Sequence, residues 1–379
     1  MIGGMTWSRI PLVSGCLLVL TLWLAVACAP SAPTPTTPST LLSVRLFTRT
    51  PTPTVTPTPT PHPQALYQEG LQYRNAWDLE TALESFDRAL SIAPSAPFYA
   101  SRSEVYRLMG RYEEAAADIE QALALAPDLA EAWRQKALLS RTQMAWDEAL
   151  ASANKLIEFA PDDGAAYILR AQIYVEGFGE LQQALSDYDQ AISRDPIFDK
   201  ATLVERWHIL AELGEWEQAL LVSQKITTSG SEDPLRYYYR GWSLTQLERT
   251  DAAIQMLLFG IQRYPDYPVA LYYALGVAYC QRQAWMEAVQ SLEVALSQSS
   301  TASSEIASQR RLNITDTDIL GWMGVAYLGL KQCETGAALV ERAIAEGADP
   351  AIWTWARERV EACYIALTPT PTPGGTPTP

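Results

Sequence analysis

The stretch Arg111–Asp128, RYEEAAADIEQALALAPD, decides the fold. Ala115, Ile119, Ala122 and Leu123 fall at i, i+4, i+7 and i+8, a single apolar stripe at helical period. Glu113, Glu114, Asp118 and Glu120 lie mostly off that stripe, and acidic runs such as Glu113-Glu114 read as solvated helix faces. Pro127 ends the helix, because a proline has no N–H to continue the ladder. Nearly the same stretch recurs as TALESFDRALSIAP before it, and as EALASANKLIEFAP and QALSDYDQAISRDP after it. The closing prolines, Pro94, Pro127, Pro161 and Pro196, stand 33, 34 and 35 residues apart, and Pro265 follows 69 later, close to two periods. A fixed period near 34 means a repeat array.

Composition narrows the function classes. The 379 residues are 48% hydrophobic, enough to bury a large core, and 43 acidic against 28 basic side chains leave a net charge of −15. That balance argues against general affinity for nucleic acid or anionic lipid. With only His62 and His208 present, a Ser-His-Asp triad or a zinc site built on several imidazoles is nearly excluded. No glycine-rich phosphate loop, metal-ligand cluster or nucleophile elbow appears. Nearly all the ordered sequence is spent on repeats, which leaves no room for a catalytic domain. No enzyme, cofactor, metal or small-molecule substrate is expected.

Residues 1–28 read as an export signal. Arg9 is the only charged side chain before Arg45, and the uncharged run Ile10–Ala29 is densest in apolar residues at Leu17–Ala27. Ala25-Val26-Ala27-Cys28 resembles the lipobox of bacterial lipoproteins, whose cysteine carries lipid after cleavage, although Ala25 stands where leucine is commonest. Three fates are open: a lipidated Cys28, an uncleaved membrane anchor, and release after Ala25-x-Ala27. Each places the remainder outside the cytoplasm, in the cell envelope or beyond it. Residues 29–63 form a Pro/Thr-rich tract, and at about 3.1 Å per residue such a polyproline-like spacer reaches on the order of 100 Å. A shorter tract of the same kind, 368–379, ends the chain.

The repeats resemble the tetratricopeptide repeat, a 34-residue helix–turn–helix unit with small residues where helices cross and large ones where they plug into the next unit. Gly70, Tyr73, Ala82, Phe86, Ala89 and Pro94 carry the pattern in unit one, and Tyr167, Ala171, Tyr174, Ala184, Tyr188, Ala191 and Pro196 carry it in unit four, with one extra residue in the Gly177–Gly179 turn. Units one to seven span 64–300, a polar linker occupies 301–316, and unit eight with a capping helix fills 317–367. The resemblance implies an all-α, right-handed superhelical solenoid of about eight units. It also implies that the free faces of the first helices line a concave groove.

Two patterns on that face are candidate sites. Arg74, Arg107 and Arg141 hold equivalent places, 33 and 34 apart, with Arg134 two turns before Arg141. They form either a basic ladder for carboxylates or phosphates or ion pairs with acids on neighbouring helices, such as Glu104. Tyr238, Trp242 and Tyr273 in units six and seven form either an exposed aromatic wall for apolar side chains or sugar rings, or buried packing. His208, on the first helix of unit five, reads as a polar residue of the same face. The lysine–asparagine pair with which chaperone-binding relatives hold a terminal carboxylate is missing: the matching places read Tyr67/Leu71, Ala100/Glu104, Arg134/Leu138 and Val204/His208. Cys333 follows the first helix of unit eight and Cys363 lies near the end of the next helix over; neighbouring helices of this kind run parallel, which allows the two to come within reach of a disulfide that an exported location permits, and Cys280 reads as buried and reduced. The expected function is a non-catalytic extracytoplasmic scaffold binding a protein or peptide in the groove. A glycan-binding envelope protein and a self-assembling structural component are the alternatives.

Overall fold

The computed structural model describes residues 62–228, 233–265, 269–299, 312, 314–347 and 350–367. The signal with Cys28, the stalk up to residue 61, most of the polar linker and the C-terminal tract lie outside the described residues. The described chain is helical throughout and runs as antiparallel pairs. They are α1 (Pro63–Asn75) with α2 (Leu79–Ile92), α3 (Ala96–Leu108) with α4 (Tyr112–Leu125), α5 (Ala130–Thr142) with α6 (Trp146–Phe159), and α7 (Gly164–Ile173) with α8 (Leu181–Arg194). A short α9 (Ile197–Ala201) precedes α10 (Leu203–Glu212) and α11 (Trp216–Thr228). Then follow α12 (Leu235–Gln246) with α13 (Thr250–Arg263), α14 (Val269–Gln281) with α15 (Trp285–Ser299), and α16 (Asp316–Gly329) with α17 (Cys333–Ala345). A single helix, α18 (Pro350–Leu367), closes the array. Each helix packs on its partner and on the next pair, and first helices touch first helices (α1 on α3, α3 on α5). That is the contact pattern of a solenoid.

The turn inside each pair shows why the count is eight. One residue per turn adopts the left-handed conformation: Trp77, Gly110, Met144, Gly179, Gly214, Glu248, Gln283 and Lys331. The next N–H then reaches back to close the first helix, as in Asp78 to the Tyr73 carbonyl (3.0 Å), Arg111 to Tyr106 (2.8 Å) and Gln332 to Tyr327 (3.0 Å). This is the six-to-one bond of a Schellman stop, which satisfies a carbonyl the helix leaves open. Unit four carries its extra residue as a π-helical turn, Tyr174–Phe178, and its closing bond runs from Glu180 to Tyr174 (3.1 Å).

Small residues set the crossings. A Cβ on Gly70 would meet the Phe86 ring at 2.6 Å, and one on Gly276 would meet Leu292 at 2.4 Å. Phe86 and Leu292 are fully buried, so neither can yield. Helix starts are also written locally: the His62 ring accepts the Gln64 N–H, Asp78 accepts that of Thr81, and Thr315 with Asp318 forms a capping box.

One reading of the deciding stretch is corrected. Ala115, Ile119 and Ala122 are buried, but so is Asp118, at 4% exposure. Arg102 of the preceding helix grips it with two bonds of 2.7 Å and reaches Asp87 at 2.5 Å. The arrangement recurs in unit four, where Arg170 holds the buried Asp187 at 2.8 and 2.7 Å. Burial opposes the charge on Arg102, yet the bonds and charge of Asp118 and Asp87 outweigh it and raise its pKa.

Candidate functional site

The arginine ladder sits on the first helices, as its spacing implies, and most of it is engaged. Arg74 Nη1 donates to Glu104 Oε2 at 2.5 Å, and its other nitrogens hold Asn75 Oδ1. Arg134 donates to Asp163 and, at 3.2 Å, to Glu131. Arg141 makes a two-pronged bond to Glu176 (2.8 and 2.6 Å) and a third to Gln172 at 2.8 Å. For these three the ion-pair alternative holds: acids on the next first helix or its cap take up the positive charge.

Arg107 differs. Among the described residues it makes no ion pair, and its one polar contact is a long 3.5 Å bond from Nε to Gln135 Oε1. The reason is visible in the register. The residue that faces Arg74 from the next first helix is Glu104, but the equivalent residue facing Arg107, 34 positions on, is Leu138. A hydrocarbon stands where Arg74 has its counter-acid. Burial therefore holds the Arg107 pKa below the ordinary arginine range, with Glu104, Tyr112 and Glu131 offsetting it in part and Arg141 adding to the drop. Arg107, Leu138, Arg141, Thr142 and Glu176 line a depression of about 360 Å³. The π-helical turn of unit four supplies Glu176 and so fixes the Arg141 wall. The depression thus holds a half-buried guanidinium with donors to spare, beside a second that Glu176 and Gln172 tie in place.

The aromatic wall is a correction. Tyr238 and Tyr273 are only 4% and 8% exposed, and Trp242 stacks between them with ring centroids 5.9 and 5.7 Å away. Ile314, at the end of the polar linker, packs on both core clusters that hold these tyrosines, and Leu312 packs on the first of them. Burial accordingly raises both phenols well above the usual tyrosine range, with Asp318 adding to the effect. The three rings bury one another; they do not form an exposed wall for sugars or side chains. His208 lies half-buried with its ring edge-on to Trp207 and Tyr239, at 5.1 and 5.7 Å, within this aromatic packing.

Cys333, the first residue of α17, and Cys363, in α18, are joined as a disulfide with Cα atoms 5.7 Å apart. Cys280 is a buried free thiol, and burial pushes it up to about 12. Among the described residues no group of three His, Cys, Asp or Glu side chains is placed to hold a metal ion. Among them, too, no helix is long and apolar enough to cross a membrane.

Comparison with known proteins agrees with the helix pairing. Tetratricopeptide repeats are detected in this chain. The repeat's family models match residues 96–129 and 164–198, which are units two and four. The chain is 28% identical over 127 residues to the Hsp70-Hsp90 organizing protein of Triticum aestivum, covering 34% of this chain and 20% of that protein. It is 38% identical over 91 residues to tetratricopeptide repeat protein 36 of Mus musculus, covering 23% of this chain and 49% of the other. It thus spans about a fifth and about a half of these relatives' lengths. Among solved structures, pilF of Pseudomonas aeruginosa superposes with a TM-score of 0.47 at 18% identity, over 54% of this chain and 92% of that one. The Cut9 and Hcn1 hetero-tetramer of the APC/C superposes with a TM-score of 0.46 at 17% identity, over 75% and 52%.

Sequence reasoning placed Arg107 among equals and missed what singles it out. The signal lies at positions 104, 138 and 172, which read Glu, Leu and Gln at exact repeat spacing. Glu176, also at the site, is placed there by the π-helical turn, which periodicity does not report.

Proposed function

We propose that this chain is a non-catalytic scaffold that binds a protein partner on the groove formed by its first helices, by taking a carboxylate-bearing segment at Arg107. The observation that carries the reading is the unpaired guanidinium in a ladder whose other members are paired. Leaving a charge partly buried without a counter-ion destabilises a fold. An arrangement kept in spite of that points to an anion supplied from outside. A chain with net charge −15 has no general appetite for anions, so recognition rests on this one place. Tetratricopeptide-repeat relatives act in protein–protein interaction, and a carboxylate on a protein is the anion such a groove meets. The lysine–asparagine pair of the chaperone-binding branch is missing, so a free C-terminal carboxylate held in that manner is not part of the reading.

In the same proposal the scaffold works outside the cytoplasm, tethered through Cys28 and held off the membrane by the 29–63 tract, with membrane contact through that lipid alone. Labelling with palmitate that is lost in Cys28→Ser supports the tether, and labelling that persists refutes it. The binding reading is tested by a crosslinked pull-down from envelope extract with the full chain and with Arg107→Leu. A protein captured by the native chain and lost in the variant is the expected result. Equal capture by both removes Arg107 from the site.

A further inference from the structure

Four units place an arginine eight residues before the left-handed turn position, or nine in unit four with its extra residue: Arg102, Arg170, Arg206 and Arg240. Acids tie down three of them. Arg102 holds Asp118 and Asp87, Arg170 holds Asp187, and the Nη groups of Arg206 reach Asp199 at 3.0 Å and Asp189 at 3.3 Å. Arg240, on α12, makes no hydrogen bond or ion pair among the described residues, although it is half-buried and its Nε is shut off from solvent. Register gives the reason. Where units two and four have Asp118 and Asp187, unit six has Met256. Where Arg102 and Arg206 meet Asp87 and Asp189 from the preceding unit, the equivalent residue for Arg240 is Gln224.

The neighbouring cations are no better matched. Arg236 stands one turn before Arg240 on the same helix, and its polar contacts are two phenols, the Tyr264 hydroxyl at 2.9 Å and the Tyr237 hydroxyl at 3.4 Å. Arg263, at the end of α13, shares a ring with it: the two guanidiniums lie 5.5 and 5.6 Å from the centroid of Tyr264. Neither makes an ion pair among the described residues. Nearby acids are engaged, Asp251 with Arg282 and Asp233 with the Leu235 N–H. Like charges one helical turn apart repel, and a half-buried cation without a counter-ion destabilises the fold. Residues 235–264 carry four arginines and two acids, so this helix pair is basic in a chain whose net charge is −15.

We propose that Arg236, Arg240 and Arg263 form an anion site, separate from Arg107 and independent of that reading, which takes a phosphoryl group. A carboxylate brings one charge and leaves the pair on α12 unbalanced. A phosphoryl group brings close to two, with oxygens enough for both guanidiniums. The rim of the site is aromatic. Phe259 is 55% exposed, and its ring lies 5.5 Å from that of Tyr237, over which Arg236 sits at 5.0 Å. The organic part of a phosphate ester has that ring to rest on. Free phosphate and a phosphate ester share the recognising chemistry, and Phe259 tells them apart.

The test is titration calorimetry of the full chain at fixed ionic strength, with inorganic phosphate and with phenyl phosphate as probes. One site per chain is expected, weakened about tenfold in Arg240→Gln, the order of one lost charge-assisted contact, and unchanged in Arg107→Leu. Met256→Asp gives Arg240 the acid that Arg102 and Arg170 have, and is expected to abolish binding while circular dichroism stays native. Tighter binding of phenyl phosphate, brought down to the inorganic value by Phe259→Ala, supports the site with an ester as its ligand. Equal binding of the two probes supports it with free phosphate. Binding of neither probe overturns the proposal, as does native affinity in a folded Arg240→Gln chain, or binding that only Arg107→Leu removes.

Discussion

Two arginines at the residue scale show the two ways this array handles charge. Arg102 closes on the buried Asp118 with two bonds, whereas Arg107, one and a half turns later on the same helix, faces Leu138. Asp118→Asn is predicted to lose about 3 kcal/mol of stability, the order found when one partner of a buried pair is removed, measured by urea unfolding. Arg107→Leu is predicted to do the reverse and gain about 1 kcal/mol, since it deletes an uncompensated charge, the usual trade between a binding site and stability. Cys280 gives a pH signature. Its folded thiol, raised to about 12, keeps its proton where an unfolded thiol loses it. Stability is full below the ordinary thiol range and falls as pH rises towards 12. Cys280→Ala is predicted to flatten that fall between about pH 8 and 10, below the range in which tyrosines ionise. The apolar stripe of α4 was legible because hydrophobic period reports burial of hydrocarbon. The burial of Asp118 was not, because periodicity assigns every carboxylate to solvent and says nothing of a guanidinium arriving from the helix before.

Elements owe their placement to signals of different range. Pair boundaries were legible, since Schellman turns and closing prolines are local, and the eight pairs with their capping helix follow the sequence units. The fate of Tyr238, Trp242 and Tyr273 was not, because Ile314 packs on both of their clusters from a linker more than forty positions further on. The disulfide between Cys333 and Cys363 ties α18 to the last pair across 30 residues. By loop-closure entropy a cross-link of that span contributes about 3.6 kcal/mol. Cys333→Ser with Cys363→Ser is predicted to lower the protection of α18 amides in hydrogen exchange first, leaving α1 to α8 unchanged, because stability in a solenoid passes between neighbours. Loss of protection spread evenly along the chain contradicts that picture.

For the whole molecule, recognition at Arg107, as proposed, lies in the first units of the array, while Tyr238, Trp242 and Tyr273 of the later ones pack on one another. The repeat period made the fold legible at a glance, yet it made the site hard to see, since the residues facing the ladder vary while the frame repeats. Those positions read Glu104, Leu138 and Gln172, and only Leu138 offers its arginine no polar group. Leu138→Glu restores the missing acid, so the most direct measurement is capture of the partner by this variant beside the native chain, with thermal unfolding recorded for both. The predicted result is that the carboxylate introduced by Leu138→Glu occupies Arg107 from within, abolishing capture while the melting temperature holds or rises. Undiminished capture by a folded Leu138→Glu chain would contradict it.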